Sequence, residues 1–188
     1  MRQSILKLSF LSFILATTLG FSQTQTYNAN AEQSSVLVEG TSNIHDWEIT
    51  VEDLESQLQL VNDQQDELSI QSIIFTVPVK SMKSGKGGMD KNTYKALDAD
   101  DYKFINFKST SIKKSAGNYI ATGDLTIAGT TNQVEIPLEI SKNNNQIKLS
   151  SSYKINMLDY KIEPPKALFG TITTGENVTV ITNLIYNN

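Results

Sequence analysis

His45, Asp46 and Trp47 place the only histidine and the only tryptophan of this 188-residue chain side by side. An imidazole next to a carboxylate is material for acid–base chemistry, and an indole beside them could wall a binding site. The constellation stops there. No G-x-S-x-G elbow accompanies the serines, so the histidine has no evident nucleophile to activate. One histidine in a chain without cysteine would need several well-placed carboxylates to hold a metal. The tripeptide therefore reads either as a polar contact (His45) beside an aromatic wall (Trp47), or as a structural turn with Trp47 packed in the core. Neither reading assigns a catalytic residue, a metal ligand or a cofactor.

Two charged clusters invite the same comparison. Lys80, Lys83, Lys86, Lys91 and Lys95 gather around the glycine-rich stretch 83–88, where ammonium groups could meet a phosphate or an anionic membrane surface, or simply form a solvated basic face. Asp98, Asp100 and Asp101 are close together but lack the Asx-Gly loop and the distal glutamate of a calcium-binding EF-hand, so they read as a surface loop.

Bulk properties narrow the setting. Arg2 and Lys7 precede a nearly continuous apolar run at 8–19, with the small residues Gly20 and Ser22 behind it. This is the pattern of a secretory signal peptide, expected to be cleaved after Ser22 and to leave one domain, 23–188. The apolar run is about a dozen residues, short of the roughly 20 a membrane-spanning helix needs, and no other run of that length follows. A soluble periplasmic or secreted protein is expected. With no cysteine in the chain, disulfides and thiolate metal sites are excluded. The full chain carries 16 Lys+Arg against 20 Asp+Glu, and removing residues 1–22 leaves 14 against 20, a net charge of −6, which argues against nucleic acid as a partner. A homodimer is compatible with these properties.

Alternation of apolar and polar residues at period two dominates the remaining sequence and predicts strands with one face buried. Val134, Ile136, Leu138 and Ile140 alternate with Glu135 and Glu139, and the run from Tyr119 to Ile127 precedes them across a turn at 128–132. Ile147, Leu149, Ser151, Tyr153, Ile155 and Met157 follow, which makes a three-strand meander. Further strands are predicted at 36–42, 47–52, 56–61, 68–79, 104–112 and 178–186. Met89, Thr93 and Leu97 repeat at helical spacing and predict one short helix, while Pro164 and Pro165 make 159–170 a loop, with room for a helical turn. Long antiparallel strands joined by short turns favour an up-and-down barrel over a sandwich. The expected fold class is all-β: a single antiparallel eight-stranded lipocalin-like barrel with one short helix.

A barrel of eight strands is wide enough either to be filled by its own side chains or to hold one small ligand. The faces assigned inward mix large groups (Ile105, Phe107, Leu125, Ile136, Tyr153) with small ones (Gly40, Ser109, Ala121, Gly123, Ser151). Small groups leave room for an apolar ligand, yet large and small residues also alternate simply to fill a tapering core. Composition alone does not separate a binding barrel from a filled barrel acting as an envelope interaction module.

The sequence resembles the YceI-like family over nearly all of its length after the leader. Gly123-Asp124-Leu125-Thr126-Ile127-Ala128-Gly129-Thr130-Thr131, followed by Val134 and Ile136, resembles that family's G-D-L-T-x-x-G-x-T hairpin. Residues 73–81, ending in Ser81, 90–97 and Phe107-Lys108-Ser109-Thr110-Ser111 resemble its strand with a serine-containing turn, its short helix and its F-x-S-T strand, in the same order. The resemblance implies an exported, lipocalin-like barrel that holds a long isoprenoid or other amphiphilic lipid without catalysis. The wall candidates are then Trp47, Ile73, Phe75, Val77, Ile105, Phe107, Leu125, Ile136 and Tyr153, with His45 and Lys91 as headgroup contacts. One departure concerns the headgroup: Met89-Asp90 stands where the family commonly carries Arg-Asp, so an uncharged ligand end or a nearby lysine is implied instead.

Overall fold

The computed structural model describes residues 24–61, 68–143 and 146–187. The leader read at 1–22 lies outside them. Twelve strands follow in chain order: β1 (Thr24–Asn28), β2 (Ser35–Ser42), β3 (Trp47–Val51), β4 (Glu55–Val61), β5 (Ile70–Pro78), β6 (Met82–Lys83), β7 (Phe104–Ser115), β8 (Asn118–Ile127), β9 (Thr130–Asn143), β10 (Gln146–Asn156), β11 (Lys166–Ala167) and β12 (Ile172–Asn187). One helix, α1 (Gly87–Ala96), separates β6 from β7. All pairings are antiparallel, in the order β1-β4-β5-β7-β8-β9-β10-β12-β2-β3-β6, with β11 attached to β12.

The all-β antiparallel architecture and the single helix agree with the sequence reading, but the eight-stranded closed barrel is corrected. The sheet is an eleven-strand path that curls on itself without a continuous closing ladder. An isolated bridge between Ala29 and Tyr186, with Asn30 N–H donating to the Ile185 carbonyl, ties the β1 edge to β12. A second departure lies between β9 and β10, whose ladder runs only from Glu139–Ser150 to Asn143–Gln146. Pro137 explains the break, because it has no N–H to donate and its carbonyl is taken by the Ser151 hydroxyl at 2.8 Å. Beyond it the two strands separate. Three short strands were also invisible to periodicity: β6 and β11 have two residues each, and β1 has a single buried side chain, Tyr27.

Local chemistry accounts for the turns. Ile127 pairs directly with Thr130, so the β8–β9 turn is the two residues Ala128 and Gly129 rather than 128–132. Both have positive φ (45° and 72°), the geometry of the two-residue turns that match strand twist. Gly129 also lies flat against the Tyr102 ring, leaving no room for a Cβ.

The sequence motifs build a bulge. Register shifts between Ser109 and Ser111 opposite Gly123 and Thr122, leaving Thr110 as the extra residue. The Ser109 hydroxyl, buried, accepts from Ile73 N–H at 2.8 Å and takes the place of a ladder bond to β5. Gly123 sits against the Lys108 carbonyl and the Ser109 Cα, so the close approach depends on its missing side chain.

One end of the curl is sealed. Tyr27, Leu58, Leu60, Tyr119, Leu138, Ile147, Leu184 and Tyr186 are all buried there. Tyr186 OH meets Ser56 Oγ at 2.7 Å, and Ser56 Oγ donates to the Ile74 carbonyl at 2.9 Å, so the phenol is the donor of the pair. Removing one partner is then asymmetric. Tyr186→Phe leaves Ser56 satisfied and should cost about 1 kcal/mol, whereas Ser56→Ala strands a buried phenol and should cost roughly 1–3 kcal/mol by chemical denaturation. Burial pushes the Tyr186 phenol up to about 12. Below pH 10 the tyrosine is protonated in both folded and unfolded chains. As pH rises from 10 to 12 only the unfolded chain gives up the proton, so stability falls by roughly 2–3 kcal/mol on this account. Tyr186→Phe should flatten that alkaline loss; an unchanged pH profile in the variant would contradict the assignment.

Candidate ligand cavity

At the opposite end the interior is open. A cavity of about 720 Å³ is lined by β2, β3, β10 and β12 side chains, by α1 and by the 162–168 segment. It leads to a deeper chamber of about 130 Å³ between the sheet walls. Val38, Met82, Ile105, Ile127, Ile155 and Val180 line both and form the passage between them. The interior is therefore not solidly filled, and the space falls within the roughly 300–1,000 Å³ of small-molecule sites.

Period-two alternation explains why these side chains face one space. Phe75, Val77, Ile105, Phe107, Leu125 and Ile136 each occupy the inward register of their strand. With Ile73 and Tyr153 they line the deeper chamber, and Ile105 reaches the outer cavity as well. Trp47, His45 and Lys91 line the outer cavity. All eleven residues singled out in the sequence thus border one continuous space. Periodicity missed Val38, Ile49, Ile127, Ile155 and Val180 as wall residues, although each belongs to an alternation already visible on its strand. Lys166 and Leu168 carried no signal, since their position depends on how the proline-bearing loop folds back over the opening.

The reason given for the space is corrected. Of the five small residues expected to leave room, only Ser151 borders the cavity. Gly40 is covered by the Trp47 ring, Gly123 by the bulge, Ala121 is fully buried, and Ser109 is spent on Ile73. Room arises instead from the absence of a plug at the α1 end and from β9 and β10 parting beyond Pro137. A further register shift in β12, between Thr174 and Val178 opposite β2, bends that strand so that Ile172 and Thr174 border the opening.

Trp47 is held in place at the rim. Its indole N–H donates to the Thr41 carbonyl at 2.9 Å, and its ring lies over Gly40, its cross-strand partner. A Cβ on Gly40 would overlap the ring, so Gly40→Ala should expel the indole from this seat and break the bond to Thr41. As Trp47 is the only tryptophan, the displacement reads out directly as a red shift of its fluorescence with a stability loss of roughly 1–3 kcal/mol. Unchanged emission would show the ring is not seated there.

Polarity is graded along the axis. The deeper chamber offers only Ser151, Thr182 and Tyr153 as polar side chains. Burial, with Asp159 nearby, raises the Tyr153 phenol above its ordinary value, keeping it a neutral hydroxyl. The opening adds Ser42, His45, Lys86, Lys91, Asn92, Lys166 and Thr174. His45 Nδ1 lies 2.6 Å from the Asp46 carbonyl oxygen, so it carries the proton in that contact and leaves Nε2 for another partner. The lysine cluster divides: Lys80 pairs with Asp100 at 2.7 Å, Lys83 donates to Tyr94 OH at 2.8 Å, and Lys86 and Lys91 face the opening. Met89 also borders it, apolar where the resembled family commonly has arginine. Its neighbour Asp90 turns away and accepts from the Ser84 hydroxyl at 2.6 Å and the Ser84 N–H at 2.8 Å, which lower its carboxyl below the usual range. Among the described residues, no group of three or more His, Cys, Asp or Glu could hold a metal, and no helix is long and apolar enough to cross a membrane.

Comparison with solved structures places this architecture. BcnA of Burkholderia cenocepacia is 18% identical with a TM-score of 0.72, covering 84% of this chain and 98% of that one. A polyisoprenoid binding domain from Saccharophagus degradans, implicated in plant cell wall breakdown, is 12% identical with a TM-score of 0.63, covering 86% and 97%. The YceI protein of Campylobacter jejuni is 17% identical with a TM-score of 0.61, covering 74% and 84%. At these identities the likeness is one of fold. No curated protein sequence matches the chain significantly. The YceI-like domain family model matches residues 27–185, from the buried Tyr27 of β1 to Ile185 near the end of β12, and the chain belongs to the YceI-like family.

Proposed function

We propose that this protein is an exported carrier or receptor for a long-chain apolar or amphiphilic lipid of isoprenoid type, held non-covalently with its tail in the deeper chamber and its polar end at the rim. The observation that carries the reading is the continuous apolar cavity, open at one end and sealed at the other by buried tyrosines. Each 100 Å² of hydrocarbon it removes from water contributes about 2.5 kcal/mol. Membership of the YceI-like family and the fold shared with a polyisoprenoid binding domain support the ligand class. The leader at 1–22 supports export to the periplasm or exterior, with residues 23–188 as the working domain. Trp47, Ile73, Phe75, Val77, Ile105, Phe107, Leu125, Ile136 and Tyr153 form the wall in this reading, and His45 and Lys91 contact the polar end.

Native mass spectrometry of protein from a bacterial host should show a bound mass that organic extraction releases as lipid. Repeated recovery of empty protein, together with no uptake of a fluorescent apolar probe, would overturn the proposal.

A further inference from the structure

Three of the six large apolar side chains most exposed in the described fold, Ile44, Leu168 and Phe169, sit at the cavity opening or next to it. Ile44 and Leu168 border the cavity and Phe169 adjoins Leu168. Their exposures are 56%, 67% and 111%, so Phe169 is given wholly to water and Leu168 for about two thirds of its surface. The backbone beneath them is strained. Leu168 and Phe169 both have positive φ, 48° and 56°, followed by Gly170 at 90°. Left-handed conformations cost non-glycine residues roughly 1 kcal/mol or more each, and such outliers persist where the surrounding structure enforces them.

Asn43 does the enforcing. Its Nδ2 donates to the Thr171 carbonyl at 2.9 Å, its Oδ1 accepts from Thr173 N–H at 3.0 Å, and its own N–H donates to the Thr173 carbonyl at 3.1 Å. Thus the loop bearing Ile44 and the turn bearing Leu168 and Phe169 are one clamped rim. Charge around this rim is biased. The chain as a whole is acidic, with a net charge of −4, yet among the described residues the ionisable groups lining the opening are Lys86, Lys91, Lys166 and His45, with no carboxylate. Asp46, Asp90 and Glu163 belong to the same segments and do not line it.

An exposed apolar tip ringed by lysines, on a protein otherwise repelled by anionic surfaces, matches the interfacial zone of an anionic bilayer: apolar side chains enter the acyl boundary and ammonium groups meet phosphates. We propose that this rim docks the protein on anionic lipid bilayers, with Leu168 and Phe169 as the inserting residues and Lys86, Lys91 and Lys166 as the electrostatic contacts. Docking in this orientation sets the cavity opening against the membrane. An apolar guest then passes between bilayer and protein without crossing water, where exposure of its chain is most costly. The surface itself does not depend on what the cavity holds.

The test is co-sedimentation of the full chain, expressed in a bacterial host, with phosphatidylcholine vesicles and with vesicles containing phosphatidylglycerol. Binding should rise with the phosphatidylglycerol fraction and fall with salt. Leu168→Ser/Phe169→Ser should lower the partition coefficient by roughly tenfold or more on both vesicle types. Lys86→Glu/Lys91→Glu/Lys166→Glu should lower it by a similar factor on anionic vesicles only. Uptake of a fluorescent apolar probe in vesicle-free buffer, measured on the same proteins, reports the cavity separately, so loss of the lipid-binding reading leaves the docking result standing. Vesicle binding equal to wild type in the Leu168/Phe169 variant, or no binding by the wild type, would overturn the proposal.

Discussion

Ile105→Trp should close the passage to the deeper chamber and cut the affinity for a long apolar probe by roughly 70-fold. The figure follows from losing on the order of 100 Å² of ligand contact, about 2.5 kcal/mol at 25 cal/mol per Å². Ile105 borders both the outer cavity and the chamber, so an indole there fills the throat rather than the core. Its ring gains the space the guest would have used, and the thermal midpoint should stay near that of the wild type. Chain length provides the internal control. A probe short enough to remain in the 720 Å³ outer cavity should bind almost as before, while longer ones should be rejected. Equal affinity for long and short probes in the variant would mean the tail does not run past Ile105. Titration of a homologous series of fluorescent fatty acids against both proteins gives the answer.

Gly123→Ala should be among the most destabilising single-methyl changes available, at roughly 3 kcal/mol, the upper part of the range for overpacking. The added carbon would meet the Lys108 carbonyl and the Ser109 Cα. These are backbone atoms and cannot rotate away, unlike the indole over Gly40. Relief requires the β7 bulge to open, which in turn pulls the Ser109 hydroxyl from Ile73 N–H. The damage therefore spreads across β5, β7 and β8. Gly117→Ala is the contrast: its φ of 89° disfavours a side chain, which Gly123's does not, but nothing lies near the new carbon, so only the turn's conformational cost of about 1 kcal/mol is expected. Denaturant midpoints measured side by side should keep this order.

These two glycines show what a motif does and does not convey. The hairpin at 123–131 was recognisable in the sequence, but its residues mainly build the scaffold. Gly123 admits the bulge, Ala128 and Gly129 make the two-residue turn, and Thr126 and Thr131 join hydroxyls at 2.8 Å on the outer face. Only Leu125 and Ile127 of this hairpin face the cavity. Similarly, Ser109 and Thr110 of the F-x-S-T strand serve the bulge, and Phe107 serves the wall.

Alternation at period two by itself determined the all-β class and nine of the strands, and the inward face on each up to any bulge, because between bulges a side chain's sheet face depends only on its parity along the strand. Acidity, the lack of cysteine and the single histidine likewise excluded whole classes of chemistry without reference to a fold. Whether the interior was filled or hollow was decided only by the tertiary structure. That outcome depends on volumes summed across strands distant in sequence, on where Pro137 ends a ladder, and on which end the tyrosines plug. The strained rim was equally out of reach, since Asn43 clamps Thr171 and Thr173 across 128 and 130 residues of chain. Of His45, Asp46 and Trp47, the first and last end at one rim: the indole is seated on Gly40 and the imidazole is tied to the next residue's carbonyl. Sequence neighbours share chemistry only when the fold turns them toward the same space, and here it turned His45 and Trp47 toward the cavity.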